Sequence, residues 1–135
     1  MGLVKAEITL GNPRNKLSMK VNVMADSGAL LLCLPEHIAI QLQLEELEKR
    51  EVILADGSRI KVSYSGPVEI RFENRSCFTG ALILGDEPLL GVVPMEDMDI
   101  LIDPVRQRLI VNPENPNIPV SPVKRIRIWS LGRNS

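Results

Sequence analysis

The sequence predicts an all-β fold, a meander of short strands with one or two short helices. Two observations carry this. Apolar residues alternate with polar ones at period 2 in segment after segment, the mark of half-buried strands. Clusters of Gly, Asn, Asp and Pro separate those segments, as turns separate strands. A chain of 135 residues is one domain by size, long enough to bury a core without staples.

The elements follow in order. Val4, Ala6, Ile8 and Leu10 alternate with polar residues, and so do Leu17, Met19, Val21 and Val23. The turn formers Gly11-Asn12-Pro13-Arg14-Asn15 make the pair a hairpin. Leu30 to Leu34 is a continuous apolar run and predicts a strand covered on both faces. Pro35 then opens a short helix, where its missing N–H costs nothing. Ile38, Leu42 and Leu47 supply that helix's apolar side, and the charges from Glu45 to Glu51 read as a solvated face. Val52-Ile53-Leu54 predicts a strand, followed by Ala55-Asp56-Gly57-Ser58, in which Asp-Gly is the strongest short hairpin signal. Ile60, Val62 and Tyr64 alternate until Ser65-Gly66-Pro67 breaks the run; Val68 to Phe72 and Cys77 to Leu84 continue the meander. Leu89-Leu90-Gly91 is a short apolar run, Pro94 to Met98 a helical turn, and Ile100–Ile102 and Leu109–Val111 are strand-like. From Asn112 onward Pro113, Pro116, Pro119 and Pro122 remove donors and enforce extended backbone. Residues 1–112 therefore form the domain, and 113–135 a Pro-rich arm or tail. Val123 to Trp129 reads either as an edge strand or as a disordered basic tail.

Composition narrows the function. A net charge of −1 supplies no field toward nucleic acid or anionic lipid, and aromatics at 3% leave no base-stacking surface. No apolar run approaches the ~18 residues of a membrane helix, and Met1 to Leu10 lacks a signal-peptide layout. The expected partners thus include neither nucleic acid nor membrane. Cys33 and Cys77 sit in apolar runs and read as small buried hydrophobes, which points to a reducing, cytoplasmic setting. One histidine, His37, at a helix start, and two separated cysteines do not make a triad or a metal site. No phosphate-cradling glycine motif is present, so no metal and no cofactor are expected. Acid–base work by carboxylates is what remains.

One stretch suits that chemistry. Val21 to Ala25 ends in Asp26-Ser27-Gly28-Ala29, and the chain returns at once to apolar residues. A carboxylate between two apolar runs is costly to bury unless it is hydrogen-bonded or shares a proton. It reads either as a tight turn in which Asp26 and Ser27 bond their own backbone, or as a catalytic carboxylate on a rigid loop.

The pattern resembles the single-domain aspartic proteases of the retroviral type. Three motifs carry the likeness, in the family's order. They are the loop Asp26-Ser27-Gly28-Ala29, a flap-like hairpin from Val52 to Ile60, and Leu89-Leu90-Gly91 before a short helix. Together they span roughly residues 3 to 112. The segments Leu54-Ala55-Asp56-Gly57 and Leu89-Leu90-Gly91-Val92 are similar to those of small bacterial members. Ala25 stands where a larger apolar residue is usual, and Ser27 where threonine is commoner. No arginine follows Gly91 to brace a dimer.

The resemblance implies a retropepsin-like acid protease fold, closed and barrel-like. It implies an aspartic endopeptidase acting on polypeptide, with Asp26 catalytic and Ser27, Gly28 and Ala29 supporting the loop. Ala55, Asp56, Gly57, Ser58 and Arg59 would form the flap over substrate. The mechanism needs two carboxyl groups sharing one proton. This chain has one such loop, because neither Asp99 nor Asp103 is followed by Ser-Gly. The implied active unit is therefore a homodimer. The alternative is a protease-like dimerisation or peptide-binding module without turnover.

Overall fold

A computed structural model describes residues 3–124. Its first two strands, β1 (Leu3–Gly11) and β2 (Ser18–Asp26), form the expected hairpin, with Leu3 opposite Asp26 and Gly11 opposite Ser18. Val4, Ile8 and Leu10 on β1 and Val21, Val23 and Ala25 on β2 are buried. The turn is tied down by Asn12, itself buried, whose side-chain amide donates to the Leu42 carbonyl at 3.0 Å. A buried amide with a partner stabilises where one without would cost.

The middle of the chain comprises β3 (Cys33–Leu34), α1 (Glu36–Gln41), β4 (Glu45–Ile53), β5 (Arg59–Phe72) and β6 (Arg75–Ile83). After these come β7 (Leu89–Leu90), α2 (Val92–Met98), β8 (Ile100–Asp103) and β9 (Arg108–Val111). Seven strands form one sheet in the order β1-β2-β7-β3-β6-β5-β4. β1 also pairs with β5, Leu10 opposite Ile70, so the sheet returns on itself as a ring with β4 outside it. The core fills that ring: Ile8, Leu10, Val23, Leu34, Val68, Ile70 and Leu90 from the strands, and Met95 and Met98 from α2. Among the described residues β8 and β9 pair only with each other. Among the described residues no helix is long and apolar enough to cross a membrane.

Three local expectations are corrected. The run from Leu30 to Leu34 is mostly loop, with only Cys33–Leu34 in a strand. Leu30 is 65% exposed, whereas Leu32 and Leu34 are fully buried. The reason is nonlocal: the Leu30 carbonyl accepts from the first turn of α2 rather than from a neighbouring strand. The helix after Pro35 stops at Gln41, because Gln43 turns left-handed (φ 55°). The charged run behind it is then not a helix face but strand β4, paired with β5 from Glu45–Gly66 to Ile53–Arg59. β4 is an edge strand, and charges on an edge discourage pairing with other chains. They are ion-paired locally, Glu46 with Lys49, Glu48 with Arg50 and Glu51 with Arg59. Lastly, Ser65-Gly66-Pro67 does not end its strand. It shifts the β5–β6 register between Ser65 and Val68, and the strand runs on to Phe72.

The segment after β9 lies against the body. The buried Arg75 guanidinium donates to the Asn115 carbonyl, and Asn74 donates to that of Pro116 at 3.0 Å. Val123 and Lys124 carry no regular structure, and the rest of the stretch to Trp129 lies outside the described residues. His37 is exposed on α1. Cys33 and Cys77 are free thiols. Burial pushes both upward, Cys77 to about 12 with help from the Asp97 carboxylate.

Candidate active site

Asp26 is the last residue of β2, one position beyond the pairing of Ala25 with Leu90 on β7. The strand delivers it to the surface half-buried, and Ser27 and Gly28 are exposed. The loop is a tight turn: the Ala29 N–H donates to the Asp26 carbonyl at 3.1 Å, and the Gly28 N–H to the Asp26 carboxylate at 2.7 Å. One carboxylate oxygen is thus fixed by its own turn, which orients the side chain and leaves the other oxygen without a protein donor among the described residues. Asp26 thus bonds its own turn, as the tight-turn reading expects.

The second-half motif meets this loop from behind. β7 places Leu89 and Leu90 parallel to β2. Gly91 then opens α2, whose N-terminal N–H groups donate back: Val92 to the Ala29 carbonyl and Val93 to the Leu30 carbonyl, each at 2.9 Å. A helix N-terminus has unpaired donors to give; here the loop's carbonyls take two of them. Residues more than sixty positions apart in sequence are therefore joined by two backbone hydrogen bonds.

The other candidate residues form the β4–β5 turn. The Leu54 N–H bonds the Ser58 carbonyl at 2.8 Å and the Gly57 N–H bonds the Leu54 carbonyl at 2.9 Å. Asp56 accepts from the Ser58 hydroxyl at 2.6 Å and its N–H at 2.8 Å. These bonds, the hydroxyl first, hold the Asp56 carboxyl below its ordinary range. Asp56 is thus committed to the turn. The hairpin tip is exposed, and no hydrogen bond joins it to the Asp26 loop among the described residues. Gly57 has φ 86°, and a Cβ at this position would meet nothing within 4 Å. A Gly57→Val exchange there strains only the backbone, by about 1–3 kcal/mol. If the hairpin closes over a substrate, Gly57→Val should lower the melting temperature by several degrees, as that strain implies, and should also cut turnover tenfold or more when assayed well below melting, where the variant is fully folded (about 1.4 kcal/mol in the barrier). Unchanged turnover in the fully folded variant would make the hairpin merely structural.

Two further acids are occupied elsewhere. Asp99 takes a left-handed conformation (φ 56°) at the end of α2. Its carboxylate accepts from the side-chain amides of Asn112 and Asn115 at 3.0 and 2.8 Å, and from the Val120 N–H at 3.0 Å. The Asn112 amide, then the Val120 N–H, the Asn115 amide and the Arg75 charge hold its carboxyl below the usual range. The stabilisation is present above the ordinary carboxylate pKa and is lost as pH falls through the lowered native value. Amide protection factors over residues 112–120, exchange rates divided into their intrinsic values at each pH, should accordingly fall on acidification in the wild type. In Asp99→Asn they should be low throughout and nearly independent of this titration. Protection unchanged by the mutation would show that Asp99 does not hold the arm. Asp103 accepts from the N–H groups of Val105 and Arg106 at 3.0 and 3.2 Å, capping the β8–β9 turn.

Sequence reasoning missed the surroundings of the loop. An apolar groove of about 460 Å³ runs from Ser27 along α2 and β8, lined by Val92, Met95, Glu96, Leu101 and Pro104. Leu3, opposite Asp26, and Leu30 and Val93, joined through their backbones, are exposed beside the same loop. The apolar character of Leu30 was visible in the sequence, but its exposure was not.

No protein-family model and no curated protein matches the sequence. Among solved structures the chain is similar to the crystal structure of the retroviral protease-like domain of Ddi1 from Leishmania major. The identity is 13%, the TM-score 0.56, and the alignment covers 93% of this chain and 99% of that one. Near-complete coverage with so little identity is a likeness of architecture: this chain has the retropepsin-like fold.

Proposed function

We propose that the protein is an aspartic endopeptidase of the bacterial retropepsin-like type whose active unit is a homodimer. The observation that carries the reading is the placement of Asp26. It sits half-buried on an exposed turn braced by α2, with the exposed apolar residues Leu3, Leu30 and Val93 beside that loop and Leu101 in the groove that starts at Ser27. Clustered apolar exposure marks an interaction surface, and a second copy across a twofold axis would bring a second Asp26 to the first. Asp99 and Asp103, the acids of the chain with the nearest claim to a partner role, are held in structural hydrogen bonds.

In such a dimer two carboxyl groups share one proton. The ionised one takes a proton from water, and the protonated one polarises the substrate carbonyl. Ser27 would bond across the axis and hold the two turns in register. The hairpin from Ala55 to Arg59 would close on an extended peptide, adding strand-like hydrogen bonds. The free thiols suit a reducing, cytoplasmic compartment. The test is incubation of the purified protein with an unfolded polypeptide across pH, with and without a statine-type inhibitor. Cleavage with an acid-side optimum that the inhibitor abolishes is the expected result. Binding of the polypeptide without cleavage at any pH would replace the peptidase by an inactive peptide-binding module.

A further inference from the structure

The arm after β9 has a feature that the peptidase reading does not use. Pro113, Pro116, Pro119 and Pro122 recur at every third residue, and three residues make one turn of a polyproline II helix. Residues 113–118 bend against the body, whereas 119–124 belong to no helix or strand. Within Ile118–Lys124 the two prolines have φ fixed near the polyproline II value, and Ile118 and Ser121, each preceding a proline, are driven to extended backbone. Every residue of this segment is exposed, Ile118 by 70%.

We propose that Ile118–Lys124 is a docking segment for a partner domain that reads polyproline II ligands through an aromatic-lined groove with an acidic rim. Such grooves take the preformed, low-entropy helix of a P-x-x-P segment. Here Pro119-Val120-Ser121-Pro122 is that segment. With three residues per turn, Ile118, Ser121 and Lys124 share one ridge, Pro119 and Pro122 the next, and Val120 and Val123 the third. The third ridge contains the residue tied to the body, since the Val120 N–H donates to the Asp99 carboxylate at 3.0 Å. Two x-Pro pairs, Ile118-Pro119 and Ser121-Pro122, are left for a partner. Lys124 continues their ridge as a cation, and Arg125 and Arg127 add charge in sequence, with no acid after Glu114. That sign fits an acidic rim. The anchors of Asn115 to Arg75, Pro116 to Asn74 and Val120 to Asp99 hold the segment away from collapse. An extended ligand held in advance loses less entropy on binding.

The proposal does not depend on peptidase activity, and the test is made without it. The full chain carrying Asp26→Asn, so that no probe is cut, is titrated into a fluorescently labelled SH3 domain whose groove ends in an acidic pocket. Saturable 1:1 binding with a Kd well below ~1 mM is expected. The double variant Pro119→Ala/Pro122→Ala should lose it, and Lys124→Glu should weaken it about tenfold or more. All three positions are exposed, so melting temperature should not move. Absence of saturation up to ~1 mM, or equal affinity in the double proline variant, overturns the proposal.

Discussion

The Asp26→Asn protein should fold, dimerise and bind peptide, yet hydrolyse it at least about 10²–10⁴-fold more slowly, the range lost with a positioned acid–base group. Asparagine keeps the side-chain oxygen that the Gly28 N–H needs at 2.7 Å, so the turn survives. What disappears is the ability to carry or release the shared proton. The decisive form of the experiment mixes chains. Wild-type and Asp26→Asn proteins are exchanged at fixed total concentration. If mixed dimers are dead and pairing is random, activity follows the square of the wild-type fraction. A linear fall would mean that each chain works alone, with its second carboxylate inside the same chain. Asp99 and Asp103 are poor candidates for that role, because their oxygens already accept from Asn112, Asn115 and Val120 and from Val105 and Arg106. Dilution gives an independent reading, since an obligate assembly loses specific activity below its dissociation constant. Full activity of a dilute monomer would end the two-chain mechanism.

What the sequence disclosed and what it hid divide along the range of the forces involved. The β1–β2 hairpin and the Asp56-Gly57 turn were legible because their signals are local: alternation, Asx bonding and a residue that accepts positive φ. The length of β4 was not. Glu45 to Glu51 has the composition of a helix face, and only its pairing with β5, together with the left-handed Gln43, makes it a strand. Tertiary context overrides propensity in such runs. Leu30 misled for the same reason. An apolar run predicts burial, but the backbone of Leu30 is engaged by α2 and its side chain is left outside. That exposure is unfavourable for an isolated chain and intelligible for one that meets a second copy. The groove between α2 and β8 was equally invisible, since Ser27, Met95 and Leu101 meet only through the fold. The three site motifs could be placed in order, but their physical connection could not. The carbonyls of Ala29 and Leu30 had no assigned donors until α2 supplied them.

That connection makes Gly91→Ala a strongly damaging single-methyl change. Gly91 has φ −92° and ψ −176°, extended backbone that any residue adopts, so conformational freedom is not why it is glycine. Space is the reason. A Cβ at this position would lie 2.5 Å from the Leu30 carbonyl carbon and 2.6 Å from the Leu31 nitrogen and oxygen. These are backbone atoms, with no side-chain end to swing away. Relief requires β7 and α2 to separate from the loop, and the bonds from Val92 to Ala29 and from Val93 to Leu30 lengthen as they do. Overpacking of this kind costs at least the upper end of about 1–3 kcal/mol, and a melting-temperature drop on the order of 10 °C follows. Activity should suffer more than stability. Where the variant is still folded in the cold, Asp26 is carried on a displaced turn, and about 1 Å of misplacement can cost ~10²-fold in rate. Gly11→Ala is the control. Its Cβ would meet nothing closer than the Leu17 carbonyl oxygen at 3.5 Å, an ordinary contact, and melting should barely change. If Gly91→Ala melts with Gly11→Ala and keeps wild-type rates, the turn is not braced by α2, and the placement of Asp26 must come from β1 and β2 alone.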